Sequence, residues 1–500
     1  MKSLLFINYE KFQPRLYQEL IAQTAIKKNT LCILPTGLGK TYIAVLTAAW
    51  ILENTKGKIL MIAPTRPLVN QHLKTFLSVT NIDKNLMIAL TGKIRQDDRK
   101  ELYKIGRVFF ATPQIIKNDF DSGLLDLSDF SLLIVDECHR SVKKYAYTEV
   151  VDRFASSSNH PLILGLTASP GGMQDKIEEV KKNLRIDAIE VRTEKDIDVQ
   201  PYVKQTRVEQ IYVDMPEDFI WIRNLLEDYY RQKLNELLMA NLIFSMRTTK
   251  KELLDLQKRI GKLYDETRDR NAAKYLVICS QAIKIEHALS LLETQGIFPL
   301  HKYFLEMKKN KSSSSKSILN DKRIIEAIKR IDELYIKGVE HPKISKLVEI
   351  IKDEIKIKKN VKIIVFANFR DTVSQIKSYL DKNGIESREF IGQARKSGKG
   401  LSQKEQIQTI NEFEYELFNV LIATSIGEEG LSIPAVDLVI FYEPVPSEIR
   451  TIQRRGRTGR TEFGRVVFLI TKGTRDEWYY WSAFNKEKRM KNIINELKKK

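Results

Sequence analysis

The sequence predicts an α/β protein: two parallel-sheet domains with an α-helical insertion between them. Three observations predict it. Short, continuous apolar runs recur through the first 200 residues and again after residue 345, with amphipathic stretches between them. Such runs read as strands buried on both faces, as in parallel sheets covered by helices. The segment between the two sets shows helical periodicity instead. Finally, 500 residues exceed the roughly 250–300 over which a single core keeps growing.

The first set of runs is Leu31–Leu34, Ile59–Ala63, Val108–Ala111, Leu132–Val135 and Leu162–Leu166. Each is followed by Pro, Thr or Asp, so each reads as a strand leading into a turn. In sheets of this kind ligands bind outside the carboxyl ends of the strands. The middle segment carries stripes at helical spacing: Leu253, Leu256, Ile260 and Leu263; then Tyr275, Ile278, Ala282, Ile285, Leu289 and Leu292; then Ile324, Ile328, Ile331 and Tyr335. Lys308–Ser317 (KKNKSSSSKS) reads as a mobile loop within it. The second set is Lys362–Phe366, Val420–Ala423, Leu438–Phe441 and Val466–Ile470. The division expected is 1–205, 206–343 and 344–500.

Charge narrows the function classes. There are 83 Lys+Arg against 64 Asp+Glu, a net charge of +19, with 43% apolar and 29% charged residues. That composition excludes wholesale disorder. The excess favours an anionic partner, nucleic acid before a membrane surface. Residues 241–330 hold 19 Lys/Arg against 10 Asp/Glu, so the insertion is the basic part. No uninterrupted apolar run approaches the roughly 20 residues of a membrane span. Cys32, Cys138 and Cys279 are far apart, without CxxC. This argues against a disulfide scaffold and a cysteine zinc site, and suits a reducing interior. A prokaryotic cytoplasm with nucleoid association is the expected location.

Three motifs carry chemistry. Leu34–Thr41 (LPTGLGKT) lies between an apolar run and a helical pattern. Gly37 and Gly39 let successive backbone N–H groups face a phosphate, and the following helix N-terminus adds partial positive charge. Lys40 would reach the β/γ-phosphates and Thr41 would bind Mg²⁺. Leu34, Pro35, Thr36 and Leu38 complete the cradle, with Leu34 where the strict phosphate loop has Gly. Asp136–His139 (DECH) directly follows the run Leu132–Val135. Two adjacent carboxylates at a strand end are costly if buried unpaired. Asp136 would hold Mg²⁺ and Glu137 would orient and activate the attacking water, beside the same ion. Gln453–Arg460 (QRRGRTGR) has four arginines in eight residues. Arg457 and Arg460 would reach the γ-phosphate as arginine fingers, a role worth ~10³–10⁵ in rate. A solvated, phosphate-contacting basic loop is the simpler reading of the same residues.

In this order, the motifs resemble those of superfamily 2 helicases along nearly the whole chain. Pro14–Gln18 resembles the Q motif, which implies that Arg15 and Gln18 read adenine. Ala63–Leu68 resembles motif Ia, Thr91–Gly92 the TG element, Ala111–Gln114 the TP element and Thr167–Ser169 motif III. In the second half, Val365–Phe366 with Asn368–Arg370 resembles motif IV, Gln406–Phe413 the QxxxxxxF element, Ala423–Pro434 motif V with Gly427, and Gln453–Arg460 motif VI. The resemblance implies two RecA-like domains with ATP between them and the helical insertion acting as a nucleic-acid-binding thumb. It implies coupling through His139, Thr167 and Ser169, with His139 contacting Gln453. It also implies nucleic-acid contacts from Arg66, Thr91, Thr112, Arg370 and Thr424.

The DECH box with a helical insertion between motifs III and IV is similar to the archaeal Hef and eukaryotic FANCM helicases, and also to the Dicer and RIG-I-like group. Three functions follow from this. The leading one is an ATP-driven helicase or translocase on forked or four-way DNA, with an XPF-type nuclease as a partner absent from this chain and no membrane partner. The others are a double-stranded-RNA-stimulated ATPase and a non-catalytic ATP-gated clamp.

Overall fold

The computed structural model describes residues 3–92, 94–142, 145–169, 174–203, 206–392, 400–424, 434–445, 447 and 464–499. Motif VI, with Gln453, Arg457 and Arg460, lies outside the described residues, as does Gly427 of motif V.

The first sheet holds β1 (Thr30–Ile33), β2 (Lys58–Ile62), β3 (Met87–Ala89), β4 (Val108–Ala111), β5 (Phe130–Val135), β6 (Leu162–Thr167) and β7 (Ala188–Val191). Their order is β3-β4-β2-β5-β6-β1-β7, and every pairing is parallel. Its helices are α1 (Leu16–Ala25), α2 (Lys40–Asn54), α3 (Arg66–Val79), α4 (Gln96–Ile105), α5 (Pro113–Asp121), α6 (Ala146–Ser157) and α7 (Gln174–Asn183). Strand residues alternate between two cores. Ile59, Met61 and Ile134 pack with α1, α2 and α3; Leu60, Ile62 and Leu133 pack with α5, α6 and α7. This double burial is why the strands read as unbroken apolar runs. β7 had no such signal, because it is short, carries Glu190 and lies at a sheet edge; edge strand β3 does sit in an apolar run, Leu86–Leu90, that the sequence reading passed over.

The second sheet contains β8 (Thr206–Val213), β9 (Ile363–Phe366), β10 (Ser387–Phe390), β11 (Val420–Ala423), β12 (Leu438–Phe441) and β13 (Gly464–Thr471). Its order is β10-β11-β9-β12-β13-β8, again all parallel. The helical bundle comprises α8 (Glu217–Met239), α9 (Lys250–Thr267), α10 (Arg270–Thr294), α11 (Ile297–Lys309), α12 (Ser313–Leu319) and α13 (Lys322–Ile336). Then come α14 (Pro342–Ile357), α15 (Arg370–Lys382), α16 (Gln403–Glu414) and α17 (Arg475–Lys499). Helix α10 is long and apolar enough by composition to cross a membrane, but its apolar residues fill the two cores of the bundle.

Three expectations need correction. Residues 206–213 do not begin the helical insertion: they form β8, which pairs with β13 along its whole length. This strand was hidden because its outer edge leaves it half-exposed and polar. The segment Lys308–Ser317 is not a loop. Ser312 caps α12 by accepting from the Ser315 N–H, and Ser314 and Ser315 are buried against the Lys284 ammonium, which donates to three serine hydroxyls at 2.7–3.0 Å. Nor does the stretch 344–500 stay within the second domain. Met490 and Ile494, late in α17, belong to the first domain's core with Leu133, Val135 and Cys138.

Candidate active site

The strand order places the motifs. The phosphate loop follows β1, the DECH box follows β5 and the TAS motif follows β6, and these three strands are neighbours in the order β5-β6-β1. The carboxyl ends of β1 and β6 are level, with Ile33 beside Thr167, and β5 ends two residues earlier, with Val135 beside Gly165. The chemistry-bearing turns therefore emerge side by side.

Gly37 (φ 83°) and Gly39 (φ 80°) take the left-handed conformation that lets the loop curl. A Cβ at Gly37 would meet open space, whereas one at Gly39 would strike the Gln18 amide at 2.7 Å. The Lys40 ammonium donates to the Leu34 carbonyl at 3.0 Å, folding back across the loop. Gln18 is buried; its amide donates to the Leu38 carbonyl and its carbonyl accepts from the Arg15 N–H. Beside it is a cavity of about 200 Å³ lined by Lys11, Phe12, Arg15, Gln18, Gly37, Gly39 and Tyr42, with Phe12 and Tyr42 stacked at 4.6 Å. Arg15 and Gln18 thus share one slot with the phosphate loop. Phe12 and Tyr42 escaped the sequence reading, because lone aromatics look like core.

His72, on α3, was also missed. Its Nε2 lies 2.8 Å from Asp136 Oδ2 and its Nδ1 lies 3.5 Å from Thr41 Oγ1, so one buried ring spans the two expected Mg²⁺ partners. Burial works to raise the Asp136 carboxyl. The His72 ring and the Lys40 charge outweigh it and hold the group below the ordinary aspartate range. One hydroxyl and one carboxylate suit a hard cation that keeps water and phosphate oxygens as its other partners. Among the described residues, no cluster of three or more His, Cys, Asp or Glu forms a closed metal site.

Glu137 holds φ 49°, a strained conformation for a residue with a side chain. The strain turns its carboxylate toward His139, whose Nδ1 is 3.3 Å from Glu137 Oε2 and 3.2 Å from Thr167 Oγ1. Thr167 is in turn bonded to the Ser169 backbone, its hydroxyl accepting from Ser169 N at 3.1 Å. The expected His139 contact with Gln453 falls outside the described residues; Glu137 and Thr167 are the partners the structure records.

A second group sits at the far side of the sheet. Arg66, Thr91 and Thr112 follow β2, β3 and β4, which are adjacent in the sheet. An Arg66 guanidinium nitrogen lies 3.1 Å from where a Cβ on Gly92 would sit, so motif Ia touches the TG element. In the second sheet, Arg370 and Thr424 follow the adjacent strands β9 and β11; Arg370 donates to the Gly392 carbonyl beyond β10, and Thr424 is buried. Gln406 and Phe413 are buried, with Gln406 donating to the Ile391 carbonyl, and so anchor α16.

Comparison with known proteins agrees with this geometry. Residues 7–172 match the family described as type III restriction enzyme, res subunit; 342–462 match the helicase conserved C-terminal domain; and 219–338 match the helical bundle of a putative ATP-dependent RNA helicase. The crystal structure of the Pyrococcus furiosus Hef helicase domain matches with a TM-score of 0.76 and 44% identity, covering 96% of this chain and 100% of that one. This chain belongs to the Hef helicase family of superfamily 2. Its two parallel-sheet domains are the RecA-like pair of that family, separated by the helical region, and form an ATP-hydrolysing helicase core. A putative ATP-dependent RNA helicase of Methanocaldococcus jannaschii is 46% identical over 99% of this chain. The ATP-dependent DNA helicase mph1 of Neurospora crassa is 34% identical over 92%. The chain spans 63% and 41% of the lengths of these two relatives.

Proposed function

We propose that this chain is a Mg²⁺-dependent, ATP-driven helicase or translocase acting on forked or four-way DNA in replication-fork repair or recombination. The observation that carries the reading is its 44% identity to the Hef helicase domain across 96% of the chain, insertion included. The mph1 relative is named a DNA helicase. In this reading Leu34–Thr41 hold the phosphates, with Lys40 at the β/γ end. Gln18, Arg15 and the Phe12–Tyr42 stack receive adenine. Thr41 and Asp136 hold Mg²⁺, which supplies charge neutralisation at the phosphates. Glu137 positions and activates water, while Gln453, Arg457, Arg460 and Gly427 complete the site from the second domain. His139, Thr167 and Ser169 report the state of the nucleotide.

Arg66, Thr91, Thr112, Arg370 and Thr424 would position a strand through its phosphates, which carries no sequence information. The bundle adds charge: Lys251, Lys258, Arg259 and Lys262 are exposed on α9, opposite its buried Leu253, Leu256 and Ile260. An XPF-type nuclease acting on the same branched DNA is the partner proposed.

A second reading, a duplex-RNA-stimulated ATPase, draws on the printed names of the helical-bundle family and the archaeal relative. ATP turnover measured with forked DNA, four-way DNA, linear duplex DNA and duplex RNA separates the two. The proposal expects forked or four-way DNA to stimulate most; stronger stimulation by duplex RNA would replace it with the second reading.

A further inference from the structure

Helix α17 touches all three parts of the molecule. Its first turn is locked to the second domain. Asp476 is fully buried, pairs with the buried Lys343 ammonium at 2.7 Å and accepts from the Thr471 hydroxyl at 3.0 Å. Next to it, Arg475 pairs with Glu293 of α10 at 2.8 Å, which ties the helix to the bundle. Tyr480 enters the second domain's core with Phe441 and Phe468. The helix then leaves that domain. Met490 and Ile494 insert into the first domain's core, and Lys498 pairs with Asp196.

The far end does not land on neutral ground. The Ser169 hydroxyl, buried in motif III, donates to the Met490 sulfur at 2.9 Å. Ser169 N donates to Thr167 Oγ1 at 3.1 Å, Thr167 Oγ1 lies 3.2 Å from His139 Nδ1, and that nitrogen lies 3.3 Å from Glu137 Oε2. A continuous line of contacts therefore runs from a helix rooted in the second domain to the carboxylate assigned to water activation. A helix of 25 residues is a stiff rod of about 37 Å. With its first turn fixed, any swing between the domains must be taken up where the other end rests. A thioether suits that point, since it is unbranched and repacks without a large penalty.

We infer that α17 is a strut that transmits the position of the second domain to motif III, with Met490 as the positioning residue at its tip. The inference rests on the assignment of Glu137, His139 and Thr167 to the hydrolytic site and is independent of which nucleic acid is bound. A helix that only stapled the domains would affect stability alone.

The test compares Met490→Ala, Met490→Leu, Ser169→Ala and the Met490→Ala/Ser169→Ala double variant in the full chain. The readouts are the KM for ATP, kcat without nucleic acid, and kcat with whichever nucleic acid stimulates the wild type most. Met490→Ala is expected to leave KM and the unstimulated kcat within about twofold while cutting stimulation by at least about fivefold, the scale of a typical coupling between sites. Met490→Leu, which keeps the volume, is expected to restore most of it, and the double variant to lose no more than Ser169→Ala alone. Unchanged stimulation in Met490→Ala, when Ser169→Ala is uncoupled, overturns the strut alone. So does an additive loss in the double variant. A silent Ser169→Ala overturns the motif III assignment and the strut with it.

Discussion

At Asp136 two effects oppose each other. Burial favours the protonated acid, and the His72 ring with the Lys40 ammonium favours the carboxylate; the second pair prevails. A charged Asp136 is what a divalent cation needs, and Glu137 one residue on is held in a strained backbone that only the surrounding turn makes tolerable. Replacing Glu137 with Gln keeps the shape and removes the proposed base. Steady-state assays with saturating nucleic acid should show kcat lowered by about 10²–10⁴, with the KM for ATP little changed. Lys40→Ala should instead weaken ATP binding, seen as loss of affinity for a fluorescent nucleotide analogue. The candidates Lys40, Asp136 and Glu137 could be picked out because each lies in a compact motif, LPTGLGKT or DECH, at the end of an apolar run. His72 was not: a lone histidine in an amphipathic helix reads as core, and only the fold brings α3 to the start of α2 and the turn after β5. Phe12 and Tyr42 were hidden for the same reason.

Elements were legible wherever burial was two-sided. The central strands announce themselves, while β7, β8 and β10 lie at sheet edges and show mixed composition; the three-residue β3 is apolar but too short to stand out. The serine run was misread because composition alone suggested a loop; the half-buried Lys284 that organises it lies 28–31 residues away in sequence. Two predictions belong at this scale. The Lys343–Asp476 pair, buried on both sides, joins α14 to α17. Lys343→Met strands the Asp476 charge and should cost about 3–5 kcal/mol in urea unfolding. Lys343→Met with Asp476→Leu should cost less than the single change, because no charge is left unpaired. Strand β8 is held to β13 partly by Glu209, which accepts from Arg465 at 2.6 Å and whose carboxyl the Arg465 guanidinium lowers from its ordinary 4.5. A depressed carboxyl contributes stability above its ordinary value and loses it as pH falls through the lower folded value. Glu209→Gln should therefore flatten the acid limb of a melting-temperature profile below about pH 4.5 and leave the profile above pH 6 parallel to the wild type.

At the scale of the whole molecule, two sheets and a basic bundle were expected from periodicity and charge. The arrangement of the parts was not, because the helix that joins them, α17, carries no motif and its Met490 is one apolar residue among many. The bundle is tied to the second domain by Arg475–Glu293 at 2.8 Å, Lys302–Asp371 at 3.0 Å and the Thr372–Gln295 hydrogen bond at 3.0 Å. The basic face of α9 therefore travels with that domain. Binding through such a face releases counterions, so affinity for forked DNA should fall steeply between 50 and 200 mM salt, by roughly 10³-fold for six phosphate contacts. Neutralising Lys251, Lys258 and Lys262 together should make that slope shallower, as fluorescence anisotropy across a salt series would show. The account stands on one coupling: ATP hydrolysed at the β1–β6–β5 cradle drives strand separation. The most direct test is the separation of a fluorescently labelled DNA fork by the wild type and by Glu137→Gln, each with Mg²⁺-ATP and with binding to the fork checked in the same buffer. The account predicts ATP-dependent separation by the wild type, and a Glu137→Gln protein that binds the fork equally well but separates none of it. Separation by Glu137→Gln at the wild-type rate, or a wild type that binds the fork and never opens it, would contradict the account.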